Sequence, residues 1–190
     1  MAPRSVSAAE AIRYILDVAH RRPAQTVWIG VDGRGAAGKT TFAARLGGAS
    51  SRVSVVHVDD LSGPHVAEWD WQRFEQQVAA PLRADHAARY QRWSWDADRA
   101  AEWHDIAPGR VVVVEGVSAT RAEVDVPWDV RVWVDAPRDV RLHRALARDG
   151  VAMTTRWLED WMPSEEAYVA RDHPDERADL LVTGVDAADP

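Results

Sequence analysis

A short β-rich run, Thr26-Val27-Trp28-Ile29-Gly30-Val31, leads directly into Gly33-Arg34-Gly35-Ala36-Ala37-Gly38-Lys39-Thr40, and helical character resumes from Lys39 to Leu46. A strand, a glycine-rich turn of pattern GxxxxGK[ST] and a helix make a phosphate-binding P-loop, and that unit commits a chain to α/β architecture. Backbone N–H groups from Gly35 to Thr41, through Ala36, Ala37, Gly38, Lys39 and Thr40, converge on phosphate oxygens with the following helix N-terminus behind them. Glycine at 33, 35 and 38 permits the dihedrals and the close approach this needs. Lys39 is the one lysine in 190 residues; the other 22 of the 23 basic side chains are arginine. A compact ammonium fits inside a ring of amides and a planar guanidinium does not, so the lysine marks the centre of the site.

Composition excludes several classes. A formal net charge of −7 argues against nucleic-acid binding through a basic surface. With no cysteine there is no disulfide, thiol nucleophile or thiolate metal site. Met1 to Pro23 is broken by Glu10, Arg13 and Asp17 and is no signal peptide. No window reaches the roughly 20 apolar residues of a membrane span, so a soluble, cytoplasmic protein without membrane partners is expected. The absence of asparagine removes the guanine-reading NKxD sequence and with it a GTPase switch.

Ser5 or Ser7 can cap a helix carrying Ile12, Ile15, Leu16 and Ala19. Further strands are expected at Val53 to Val58, ending in Asp59-Asp60; at Val111 to Val114, ending in Glu115-Gly116; at Val130 to Val134, ending in Asp135; and at Leu180 to Val182. The runs are almost continuously apolar, as parallel strands covered on both faces are. Helical stretches near Trp71 to Arg83, Pro137 to Arg148 and Pro163 to Ala170 alternate with them. The expectation is one domain over residues 1–190, with an N-terminal helix within 1–23 packed on it and a tail from 184. Acids at the strand ends matter because ligands of such sheets bind beyond the carboxyl ends.

The same glycines also read as Gly33-x-Gly35-x-x-Gly38, a dinucleotide-binding pattern, with Asp59 near the position of a ribose-binding acid. A dinucleotide-dependent oxidoreductase therefore stays as an alternative. Against it, Gly38-Lys39-Thr40-Thr41 has no use in that loop, whereas a P-loop needs Lys39 on the β/γ-phosphates and Thr40 on Mg²⁺.

An ordered set of segments is more specific than the loop alone: Thr40-Thr41-Phe42, Val58-Asp59-Asp60-Leu61, Trp69-Asp70-Trp71, Arg89-Tyr90 with Trp93 and Trp95, Val114-Glu115-Gly116, and Arg141-Leu142-x-Arg144 leading to Arg148-Asp149. From about Val27 to Gly184 this set resembles the uridine kinase-like group of small P-loop kinases, with relatives acting on pantothenate and phosphoribulose. The resemblance implies a three-layer P-loop NTPase fold with a five-stranded parallel sheet in the order 2-3-1-4-5. It implies Asp59 at the acceptor hydroxyl and the metal, Glu115 in the Mg²⁺ shell, Arg144 and Arg148, with Arg141, as arginines closing over ATP, and Asp70 and Tyr90 at the acceptor, where Trp93 and Trp95 can form an aromatic wall. The segment Gly150 to Trp157 departs from the group's arginine-rich lid, and Tyr90-Gln91-Arg92 from its Tyr-Asp-Phe. The histidine that follows in uridine kinases has no counterpart unless His104 serves.

The function expected is a phosphotransferase using ATP and Mg²⁺ on a hydroxyl of a small molecule, a nucleoside such as uridine or cytidine first, with a sugar, pantothenate or a nucleoside monophosphate as other acceptors. A non-catalytic ATP-binding regulatory module is the alternative from another class. A tryptophan cluster at the surface would mark a homo-oligomer interface.

Overall fold

The computed structural model describes residues 2–63 and 69–183. Six parallel strands form one sheet in the order β1-β8-β7-β2-β6-β3: β1 (Arg4–Val6), β2 (Val27–Asp32), β3 (Val53–His57), β6 (Val111–Glu115), β7 (Val130–Asp135) and β8 (Leu180–Thr183). The five strands expected from sequence stand in the implied order 2-3-1-4-5. The sixth, β1, was not expected: three residues that extend the β8 edge through Arg4–Leu180, Ser5–Leu181 and Val6–Val182. An antiparallel hairpin, β4 (Ala88–Ser94) and β5 (Arg99–Ile106), stands apart from the sheet and was also not expected.

Alternation along the central strands feeds two cores. Val27, Ile29, Val31, Val111 and Val113 pack with Ile15 of α1 (Ala8–His20) and with Phe42 and Leu46 of α2 (Lys39–Ala49). On the opposite face Trp28, Val56, Val112 and Val114 meet Trp69, Phe74, Val78 and Tyr90. Here the helical run is α3 (Trp71–Phe74), a π-helical turn at Glu75–Ala79, and α4 (Ala80–Arg83). Helix α1 starts in a capping box: Glu10 N–H donates to Ser7 Oγ at 3.2 Å and Ser7 N–H to Glu10 Oε2 at 2.9 Å. Ser7, rather than Ser5, is the cap. At the far end Arg52 donates to the carbonyls of Ala19, Arg22, Gln25 and Gly109, closing the C-terminus of α1 over the sheet.

The remaining helices are α5 (Arg138–Asp149), a π-helical turn Arg156–Trp161 running into α6 (Met162–Asp172), and α7 (Pro174–Arg177). Among the described residues no helix is long and apolar enough to cross a membrane. The proposed tail, 184–190, lies outside the described residues.

Register aligns the carboxyl ends. Val31 pairs with Glu115, and Glu115 with His57, so β2, β6 and β3 deliver their last residues to one edge. The next residue of β2, Asp32, is 1% exposed. Its carboxylate accepts from Gly33 N–H (2.7 Å), Ser118 N–H (3.0 Å), Thr120 N–H (2.8 Å), Thr120 Oγ1 (2.8 Å) and Tyr168 Oη (2.6 Å). A buried acid with this many donors is satisfied, and it joins the start of the P-loop to the loop after β6 and to α6. Asp32→Asn turns one acceptor into a donor facing donors, so urea unfolding should lose about 2–4 kcal/mol. A loss below about 0.5 kcal/mol would show that the network does not hold this edge.

Candidate active site

The P-loop occupies the turn from β2 to α2. Gly38, at φ 108°, opens the helix, and Ala36 takes φ 59°. Gly33 has φ 149°, and a Cβ there would sit 2.1 Å from the Val134 carbonyl oxygen. Only glycine fits between the two strand ends. Lys39 is buried, its Nζ donating to the Arg34 carbonyl at 2.9 Å across the loop. Burial pulls its pKa down, while Glu115, Asp32, Glu165 and Asp59 hold it up.

Beside the lysine, Thr40 Oγ1 donates to Glu115 Oε1 at 3.1 Å. The same oxygen lies 2.5 Å from His57 Nδ1, and Glu115 draws the His57 pKa upward. Glu115 Oε2 is buried with no hydrogen-bond partner among the described residues. A carboxylate oxygen left bare beside a P-loop threonine suits a hard cation that takes one or two protein oxygens and completes its shell with phosphates and water. Thr40 and Glu115 therefore fit the expected Mg²⁺ shell, with Asp59 at its rim. Among the described residues no group of three or more His, Cys, Asp or Glu forms an all-protein metal cage.

Asp59 stands at the open mouth of this corner, in the 3₁₀ turn Val58–Leu61 that follows β3. Desolvation by the surrounding protein and the Glu115 charge push its pKa up, against Lys39, His57 and Arg148. Asp60 points the other way: Tyr90 Oη donates to Asp60 Oδ2 at 3.2 Å. The structure thus separates two neighbouring acids that periodicity alone left indistinct. Tyr90 stacks on His104 across the hairpin, with centroids 5.1 Å apart and planes 17° apart. Trp93 follows a register shift in β4 and lies against Gly63. Trp95 is 55% exposed towards the hairpin tip, so the two tryptophans do not form one wall. Asp70 Oδ1 is committed to capping α3, accepting from Arg73 N–H at 2.8 Å.

The arginines divide. Arg141, 2% exposed, bonds Glu165 Oε2 at 3.2 Å and the Ala136 carbonyl at 3.2 Å, a structural post rather than a free arm. Arg144 is half-buried on α5. Arg148, one turn further on, has most of its side chain in solvent and pairs side-on with Asp149, Nε to Oδ1 at 2.7 Å and Nη2 to Oδ2 at 3.0 Å. Its charge also acts on Asp59.

Three residues that sequence reading did not single out join the site. His57 is the last residue of β3. Glu165 and Trp157 come from the α6 region and meet at Gly35, where Gly35 N–H donates to Glu165 Oε1 at 2.9 Å. A Cβ on Gly35 would fall 2.5 Å from that oxygen and 2.8 Å from the Trp157 ring. Burial pushes the Glu165 pKa up, countered by Lys39 and the Gly35 amide. A cavity of about 490 Å³ opens beside the loop at the ends of β7 and β8, lined by Arg34, Asp135, Pro137, Arg138, Glu166 and Thr183 among others.

Gly33→Ala should abolish nucleotide binding and lower stability by at least about 1–3 kcal/mol from the backbone dihedral alone. Calorimetric titration with Mg-ATP and a thermal melt check both, and wild-type affinity in Gly33→Ala would remove the fixed loop geometry from the argument.

No protein-family model matches the chain. Solved structures do. One, described as a possible uridine kinase from Bacillus stearothermophilus, superposes with a TM-score of 0.67 at 20% identity, over 91% of this chain and 99% of that one. Another, from Silicibacter sp. TM1040 and provisionally described as a fructose transport system kinase, gives 0.63 at 17% identity, over 94% and 100%. The chain therefore has the parallel α/β fold of these two structures.

Proposed function

We propose that the protein is a Mg-ATP-dependent kinase that moves the γ-phosphoryl group to a hydroxyl of a small molecule. The observation that carries this reading is the contact of the P-loop Thr40 hydroxyl with the buried Glu115 carboxylate, beside Lys39 and Asp59. Phosphoryl transfer asks for a phosphate cradle, a metal shell, an acid at the acceptor and positive charge over the transferred group, and each has a residue here. The P-loop amides and Lys39 cradle the β/γ-phosphates. Mg²⁺ at Thr40 and Glu115 would supply charge neutralisation of the triphosphate. Asp59 takes the proton of the acceptor hydroxyl as its oxygen bonds to phosphorus and the bond to ADP breaks. Arg148, and Arg144 on the same helix face, shield the charge that spreads over the transferred oxygens. The cavity beside Arg34 and Thr183 suits the base and ribose of the nucleotide.

For the acceptor, the corner between Asp59, Asp60 and the hairpin offers His104 and Trp93, with Tyr90, 1% exposed, buried behind them. Aromatic rings with hydrogen-bonding edges favour a flat polar ring, so nucleosides such as uridine and cytidine are the first class to test, and simple sugars and pantothenate the second. The protein described as a possible uridine kinase supports this order by its likeness in fold. A dinucleotide-binding loop would leave Lys39 and the Thr40–Glu115 contact without a purpose, which disfavours the oxidoreductase reading.

Release of ADP from Mg-ATP, measured across these acceptors, tests the proposal. Acceptor-dependent ADP supports a kinase and names its substrate class. Tight Mg-ATP binding with no such signal across the panel favours an ATP-binding regulatory module. Lys39→Ala should abolish transfer. Asp59→Asn should abolish it while leaving Mg-ATP affinity within about threefold, since the lost group acts on the acceptor. Asp59 accepts a proton only when ionised, so kcat/KM for Mg-ATP, which reports the unliganded enzyme, should fall as pH drops through its raised pKa, with an acid limb above the ordinary carboxylate value of 3.8. Full turnover by Asp59→Asn removes Asp59 from the mechanism.

A further inference from the structure

Resting on the kinase reading above, we propose that Trp157 is a positioning residue that ties the P-loop to Arg148 through its indole N–H and the carboxylate of Asp149. Trp157 is 4% exposed, and its ring lies against Gly35 and packs with Ala36, two residues of the loop itself. Its Nε1 donates to Asp149 Oδ2 at 3.0 Å. That oxygen and its partner are the ones that hold Arg148 side-on. Both bonds to Arg148 use Nε and Nη2, so the Nη1 amino group is not part of the pair and remains available to a phosphate. The chain of contact is continuous: loop backbone, indole ring, indole N–H, carboxylate, guanidinium.

Packing alone does not require this arrangement. The far edge of the indole, Cζ3 and Cη2, reaches Gly35, and the ring brings in addition one directed donor. That donor meets a carboxylate, giving a charge-assisted bond of the stronger kind. Trp157 lies in the π-helical turn Arg156–Trp161, where an extra residue per turn re-aims side chains. Trp161 meets its ring edge-on at 4.8 Å, fixing the indole plane. This segment is where the sequence departs from the arginine-rich lid of the resembled group. Here, in place of further arginines, a tryptophan holds the carboxylate that aims one of them.

The test is a double-mutant cycle on nucleotide preference. Dissociation constants for Mg-ATP and Mg-ADP are measured for wild type, Trp157→Phe, Arg148→Ala and the double variant, with a thermal melt on each. Arg148→Ala should lose the preference for ATP over ADP. Trp157→Phe should lose about tenfold of it, the scale of one hydrogen bond to a charged group, with Mg-ADP affinity within about twofold of wild type. The double variant should be no worse than Arg148→Ala. Asp149→Asn should reproduce the Trp157→Phe loss, and it decides the matter if Trp157→Phe fails to fold. An unchanged ATP-to-ADP ratio in Trp157→Phe, an equal loss of both nucleotides, or a loss that adds in full to that of Arg148→Ala overturns the inference and leaves Trp157 as packing. If Arg148→Ala changes nothing, both the arginine assignment and the inference fall. Failure of the wild type to bind Mg-ATP is a different outcome, because it removes the kinase reading itself.

Discussion

One buried carboxylate organises the carboxyl edge of the sheet. Asp32 ends β2 inside the sheet, and the donors around it come from three segments that border the P-loop. Gly33 N–H sets the first bend of the P-loop. Ser118 and Thr120 set the loop that follows Glu115, and Tyr168 anchors α6, from which Glu165 reaches Gly35. An ion in this position has lost most of its hydration, and that loss is tolerable only because protein donors replace water almost one for one. The compensation works only if all three segments are in place together. The geometry around the phosphate loop is therefore cooperative rather than a sum of local preferences.

The same logic explains the use of arginine. Arg52 closes the end of α1 through several carbonyls, Arg141 is locked to Glu165, and Arg34 forks onto Glu166 at 3.0 Å through both Nε and Nη2. A guanidinium can satisfy several acceptors in one plane, so an arginine-rich chain can staple backbone ends and carboxylates where lysine would offer a single point of charge. Lys39 lies where that fork has no room, under the loop and against the Arg34 carbonyl.

Much of this was legible in the residues. Continuous apolar runs revealed the parallel strands because both faces of the sheet are covered, and the acids after them gather at its carboxyl edge. The P-loop announced itself by spacing. What escaped had physical reasons. Strand β1 is three residues long and carries no pattern of its own. In the hairpin, Ala88, Tyr90 and Ile106 are buried, but Arg89, Trp103 and Asp105 alternate with them on a solvated face, and arginine–tryptophan contacts such as Arg89 over Trp103 obscure the period of two. Asp32 hid at the border between strand and motif. Glu165 reads as an ordinary helical acid until the fold buries it against Gly35. Periodicity alone could not separate Asp59 from Asp60, which only the resemblance did, and in the structure Tyr90 Oη engages Asp60 alone of the two.

The distribution of charge across the edge carries the last step. Asp59, Glu115 and Asp60 gather at the ends of β3 and β6, and burial or mutual repulsion lifts the pKa of both Asp59 and Asp60. The loop amides, Lys39 and Arg148 lie on the other side. A free anion would meet repulsion on the first side, and a free cation would meet it on the second. A metal–triphosphate complex carries both signs, so the carboxylates would meet its cation and the amides and Lys39 its phosphates, relieving the crowding of the acids. The raised pKa of Asp59 belongs to the site without that cation. Positive charge beside Glu115 would lower it again, so a cation there would favour the ionised Asp59 that the proposed proton transfer requires.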